Sequence, residues 1–155
     1  MWKKIKPYVV GILIPLVVGG LSAFFTRNNM NIYDEIIEPP LSPPMFLFPI
    51  VWSILFILMG IGSTLVYKSA DPNKGTALKI YGFQLVINFF WSIIFFNMKA
   101  YLFAFVWLVL LWLLILAMII QFKRINKTAG LLQIPYLLWV AFAGYLTLAI
   151  FLLNR

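Results

Sequence analysis

Five long apolar runs, separated by short clusters of charge, leave this chain almost no choice of solvent. The runs are Tyr8–Phe25, Met45–Tyr67, Ala77–Asn97, Tyr101–Phe122 and Ala129–Leu153, and Lys79, near the start of the third, is the one charged residue inside them. At about 1.5 Å of helical rise per residue, each is long enough to cross a hydrocarbon core of roughly 30 Å. The bilayer offers no water to backbone N–H and C=O groups, so each run must satisfy them internally, as a helix. With 64% hydrophobic residues in 155 positions, too little polar surface remains to coat a soluble globule. The expectation is an all-α membrane protein, a five-transmembrane-helix bundle forming one domain over residues 1–155. Lys3, Lys4 and Lys6 ahead of the first run resemble the start of a secretory signal. The run is too long for one, Pro15 interrupts it, and Leu21-Ser22-Ala23-Phe24 is a poor cleavage site, so it is read as the first span.

Basic residues then set an expected orientation. Lys3, Lys4, Lys6, Lys68, Lys74, Lys79, Lys123, Arg124 and Lys127 fall on one side of a five-span chain, and Arg27, Lys99 and Arg155 on the other, which accounts for all twelve. The richer side is expected to be cytoplasmic. That places the N-terminus inside and the C-terminus and first loop outside; the membrane itself is expected, separately from this count, to be a bacterial plasma membrane. The net charge of +8 is thus a topology signal and a source of attraction to anionic lipid. It is no sign of nucleic-acid binding, because the lysines sit at helix ends instead of on one face of a soluble fold.

The four acidic residues, Asp34, Glu35, Glu38 and Asp71, all lie between the runs. Proton relays and cation pathways place carboxylates or histidines inside the membrane, so a pump or channel is disfavoured. The chain has no His and no Cys, which removes thiolate chemistry, disulfides and the usual zinc and haem-iron ligation.

Backbone punctuation suggests where the bundle bends and closes. Pro43 and Pro44 suit the first turn of the second helix. Pro15, Pro49 and Pro135 fall inside spans, where each should kink the helix unless neighbours satisfy the freed carbonyl. Small residues recur at four-residue spacing in Gly19-x-x-x-Ala23, Gly60-x-x-x-Thr64, Ala100-x-x-x-Ala104 and Ala143-x-x-x-Thr147. These permit close helix approach, either within the bundle or across a dimer, and Gly60-Ile61-Gly62-Ser63 suits both.

The tryptophans separate packing from function. Trp2 fits an interfacial belt, but Trp52, Trp91, Trp107, Trp112 and Trp139 lie away from the ends of their spans. A buried indole N–H needs an acceptor, which helix packing or a ligand can supply. Trp52, Trp91 and Trp139 come from three different spans at similar depth, and so are candidate walls of one cavity.

Three blocks carry a resemblance to the translocator protein family, also called tryptophan-rich sensory proteins. They are Pro43-Pro44…Val51-Trp52…Leu55 with Met59-Gly60-Ile61-Gly62-Ser63-Thr64-Leu65-Val66-Tyr67-Lys68, then Gln84-Leu85-Val86-Ile87-Asn88-Phe89-Phe90-Trp91 with Phe95-Phe96, then Pro135-Tyr136-Leu137-Leu138-Trp139-Val140-Ala141-Phe142-Ala143. The resemblance implies a five-helix bundle, commonly a homodimer, with a pocket near the first loop for porphyrins, benzodiazepine-site ligands and, in some members, sterols. It needs no cofactor, the porphyrin being a ligand. It places Tyr33, Pro43, Trp52, Asn88, Trp91, Trp139, Ala143 and Leu146 on the family's pocket positions. In physical terms Trp52 and Trp139 can stack on a flat ring, and Ala143 leaves it room. Asn88 offers either a neutral ligand contact or an interhelical hydrogen bond. The chain departs from the family where Ile32 and Leu41 replace first-loop tryptophans, Trp107 an acidic residue and Thr147 an asparagine. Tyr145 lacks the following Lys or Arg of the proposed cholesterol motif.

The expected function is a membrane receptor or carrier-like protein that binds protoporphyrin- or haem-type tetrapyrroles and related hydrophobic ligands in a pocket closed by the first loop. The alternative is slow light- or oxygen-dependent porphyrin degradation, with Trp52 and Trp139 as electron donors. True transport is disfavoured, since the spans show no inverted repeat or buried charge.

Overall fold

The computed structural model describes residues 2–155, without the side chains of residues 32 and 33. Five helical segments long and apolar enough to cross a membrane account for most of the chain, and no strand occurs among the described residues. The bundle is built from α1 (Trp2–Thr26), α2 (Leu47–Tyr67), α3 (Lys74–Ser92), α4 (Tyr101–Ile125), and a fifth span made of α5 (Lys127–Leu131) and α6 (Ile134–Asn154). α1 packs on α2 and α3, α3 on α4, α4 on α6, and α5 on both α2 and α4. α4 carries the core stripe Leu108, Leu111, Ile115, Met118 and Phe122, whose three- and four-residue spacing puts them on one buried face.

Proline sets the helix boundaries differently from the sequence expectation. Pro43 and Pro44 lie in the loop ahead of α2, where the Leu47 N–H donates to the Pro44 carbonyl at 3.0 Å. Pro49 occupies the first turn instead, where an N–H would have no intrahelical partner. Pro135 likewise sits in the first turn of α6. The fifth span is therefore broken at Leu132–Gln133 rather than continuous, and the buried Gln133 carboxamide bridges the break by donating to Leu58 O at 3.0 Å and to Ala129 O at 3.4 Å. Gly62 makes room for it, since a Cβ there would meet the Gln133 side chain.

α1 holds two prolines, Pro7 and Pro15, and runs through both unbroken; Pro15 is the deeper. Its missing N–H leaves the Gly11 carbonyl, four residues back, without its helical donor. That carbonyl faces Gly60 of α2, where a Cβ would stand 2.7 Å from the oxygen, close enough for a Cα–H···O contact. Thr64 Oγ1 completes the seam, its single proton directed at Gly60 O at 2.7 Å and shared with Pro7 O at 3.3 Å. The Gly60-x-x-x-Thr64 pair is thus used inside the bundle.

At the opposite end, α1 passes into a tight 3₁₀ segment, Arg27–Asp34, and α3 ends in a π-helical turn, Ile93–Asn97. Lys99, at φ 51, makes the tight turn into α4. The loop between α1 and α2 then crosses to α6 and is fastened there. Asn154 accepts from the Ile37 N–H at 2.8 Å and donates to the Ile37 carbonyl at 3.1 Å, and the Tyr145 hydroxyl donates to Pro40 O at 2.7 Å. Leu41, the next residue, takes a left-handed φ of 70°, and a Ser42 N–H to Pro39 O bond of 3.3 Å closes the turn.

Candidate functional site

A cavity of about 420 Å³ is walled by α1, α2, α3 and α6, and none of its lining residues is charged. That volume falls within the range of about 300–1,000 Å³ typical of small-molecule sites. Three indoles form its walls. Trp52 of α2 stacks on Phe56 at 5.5 Å and meets Tyr136 edge-on at 6.1 Å. Trp91 of α3 stacks on Phe95 at 5.1 Å, and Trp139 of α6 meets Phe48 edge-on at 5.8 Å. Neighbouring rings therefore hold each indole, which makes a preformed aromatic surface.

A buried chain of hydrogen bonds controls the polar side of this surface. Gln84 Nε2 points at Met59 Sδ, 3.9 Å away, and the thioether can only accept. Gln84 Oε1 is thereby turned to accept from the Tyr136 hydroxyl at 2.6 Å. Having spent its one proton, that hydroxyl accepts from Asn88 Nδ2 at 2.6 Å. The chain leaves Asn88 with a fixed orientation and its carbonyl oxygen unbonded among the described residues, on a side chain that lines the cavity. The two roles open to Asn88 are thus compatible: one end of the amide makes the interhelical bond while the other remains an acceptor.

The indole N–H groups of Trp91 and Trp139 are buried without an acceptor among the described residues. Trp107 contrasts with them. Its N–H donates to Ile87 O at 2.7 Å, and it stacks on Phe103, outside the cavity wall. Trp112 lies in a shallow groove between α4 and α6, away from the cavity.

Of the eight positions singled out in the sequence, Trp52, Asn88, Trp91, Trp139 and Ala143 meet around this cavity. Pro43 is half-buried in the loop before α2 and does not line it. Leu146 is buried three residues beyond Ala143, also away from the lining. The Tyr33 side chain lies outside the described residues. The sequence reading missed the whole α1 wall, including Leu16, Gly19, Gly20 and Ala23. The signal was present in Gly19-x-x-x-Ala23, which was read only as a packing motif. It also missed Phe96, which the π-helical turn after Trp91 brings to the cavity.

Fold and site together define a five-span membrane protein with an aromatic, uncharged cavity beside one membrane face. The sequence profile of the TspO/MBR family matches residues 11–153, and the chain belongs to that family. It is 39% identical to the tryptophan-rich protein TspO of Chlorobaculum tepidum, over 99% of each chain. It is 36% identical to protein CrtK of Rhodobacter capsulatus, over 88% of this chain and 85% of that one. With the translocator protein of Bos taurus it shares 32% identity over 90% of this chain and 85% of the bovine one.

Proposed function

We propose that this protein binds porphyrin-type tetrapyrroles and related flat hydrophobic molecules in the cavity between α1, α2, α3 and α6. One observation carries the reading: Trp52, Trp91 and Trp139, from three helices, wall a single uncharged cavity. Stacking on indoles suits a flat conjugated ring, and the family resemblance supplies the porphyrin class. The unbonded Asn88 oxygen offers an acceptor to a ligand N–H or O–H. The orphaned N–H groups of Trp91 and Trp139 each cost about 1–3 kcal/mol when left unpaired. Titration of the purified protein with protoporphyrin IX, followed by tryptophan fluorescence, tests the proposal. Saturable quenching is expected, and it should weaken sharply in a Trp52→Ala, Trp139→Ala double variant. Unchanged affinity in that variant removes the site.

A second reading, slow light- or oxygen-dependent breakdown of the bound ring, is favoured by the Trp52–Tyr136 contact. It puts a phenol beside an indole that gives up an electron. Illuminated porphyrin should then decay faster with the protein than with a Trp52→Phe, Trp139→Phe variant. Equal decay eliminates this reading.

The proposed orientation has the N-terminus in the cytoplasm of a bacterial cell and the strapped mouth outside. It is supported by nine of the twelve basic residues clustering at the opposite face.

A further inference from the structure

α1 changes partners along its length. Up to Gly19 it lies on α2, with Gly11 and Ile12 against Gly60 and Gly19 against the Phe56 ring. Beyond Gly19 its recorded contacts pass to α3 and the turn that follows it. Ser22 Oγ donates to Phe89 O at 3.1 Å, the Phe25 ring meets Phe89 edge-on at 6.1 Å, and the Phe25 carbonyl accepts from Asn97 Nδ2 at 3.0 Å.

The two helices therefore part above Gly19, and the gap is rimmed by cavity-lining residues that are exposed on the flank of the bundle. They are Gly20 and Ala23 on α1, and Pro49 and Ser53 on α2. A Cβ added at Gly20 would meet nothing within 4 Å. Gly20 lies six residues before the end of α1 and Ser53 six residues into α2. Both are about 9 Å from their helix ends, at the depth of lipid chains instead of water. The rim suits that setting, because its one hydroxyl, Ser53 Oγ, is already spent on Pro49 O at 2.7 Å and exposes no unmet donor to hydrocarbon. At the water-facing end of these helices, the loop between α1 and α2 is fastened to α6 at Ile37 and Pro40.

We propose that the cavity fills sideways, through the gap between α1 and α2, from the leaflet nearer the first loop. Its ligands are accordingly amphiphiles that first dissolve in the bilayer. The inference rests on the cavity being a ligand site, as proposed above.

The test is stopped-flow tryptophan quenching by protoporphyrin IX, with the protein in phosphatidylcholine vesicles. Ala23→Trp narrows the gap. Ala23→Cys, modified after folding with a bulky thiol reagent, narrows it in protein already assembled, with no native cysteine to interfere. Asn154→Ala loosens the strap. The gap variants should slow association and dissociation together by about ten-fold, and Asn154→Ala should leave both rates unchanged. Faster exchange in Asn154→Ala, with parental rates in the gap variants, overturns the side entry in favour of the watery mouth. Weaker binding through faster release in the gap variants also overturns it, since Ala23 would then be a wall and not a gate. Absence of saturable quenching in the parent protein is a separate result and rejects the ligand site itself.

Discussion

Tyr136 and Asn88 join α6 to α3 through a hydrogen bond of 2.6 Å, and the direction of that bond is fixed from Met59 on α2, two side chains away. An acceptor-only sulfur in the core thus determines which end of Asn88 is left for the cavity. Tyr136→Phe removes the hydroxyl and strands Gln84 Oε1 and Asn88 Nδ2 together. Stability should fall by about 1–3 kcal/mol for each group left unpaired, read as a lower midpoint of thermal unfolding in detergent.

Gly60→Ala should destabilise through a different cause. The added methyl group would run into the Ile12 backbone and the Gly11 carbonyl, two rigid partners, and overpacking of this kind costs typically about 1–3 kcal/mol. Gly20→Ala, with nothing near the new methyl, should unfold at or above the parental temperature, because alanine favours the helix by about 1 kcal/mol. Thermal unfolding of the two variants side by side checks the pair.

The indoles of α4 offer a matched comparison. Trp107→Phe removes the side-chain hydrogen bond to Ile87 O, whereas Trp112→Phe removes an N–H that has no acceptor among the described residues. Both lose ring volume, so the difference isolates the hydrogen bond, and Trp107→Phe should be the less stable by about 1 kcal/mol. Neither residue lines the cavity, so porphyrin affinity should stay at the parental value in both.

The strap makes a prediction readable at a single amide. In the parent protein the Ile37 N–H is held by Asn154 Oδ1, and Asn154→Ala releases it together with the Ile37 carbonyl. Hydrogen exchange at Ile37 should then accelerate by about ten-fold or more, equivalent to losing one or two hydrogen bonds of about 1 kcal/mol each. Cleavage of the loop in limited proteolysis should rise in parallel. Unchanged exchange would mean that the loop is held elsewhere.

The spans were legible because the penalty on charge in hydrocarbon writes itself plainly along the chain, and Lys79 deviates only by lying near a helix end. The indoles of the cavity were legible for a related reason, since Trp52, Trp91 and Trp139 all sit too deep for an interfacial belt. What stayed hidden depended on partners distant in sequence. Nothing local to Pro15 says that Gly60 will cover the carbonyl it frees, and an unbroken α1 could not be told from a kinked one. Gln133 looks like a single polar residue tolerated in an apolar run. Pro135 accounts for the break, but only the bond to Leu58 O shows why a buried carboxamide stands at it. The α1 wall was missed because glycine and alanine signal close approach equally well whether the space is filled by a helix or kept open.

The clasp between Ile37 and Asn154 spans 117 positions of sequence, with α2 to α5 lying between its two halves. Synthesis runs from the N-terminus, so the loop enters its final surroundings long before its fastener exists. The second fastener, Tyr145 to Pro40 O, also lies on α6, so the strap can close only after the other four spans have been made.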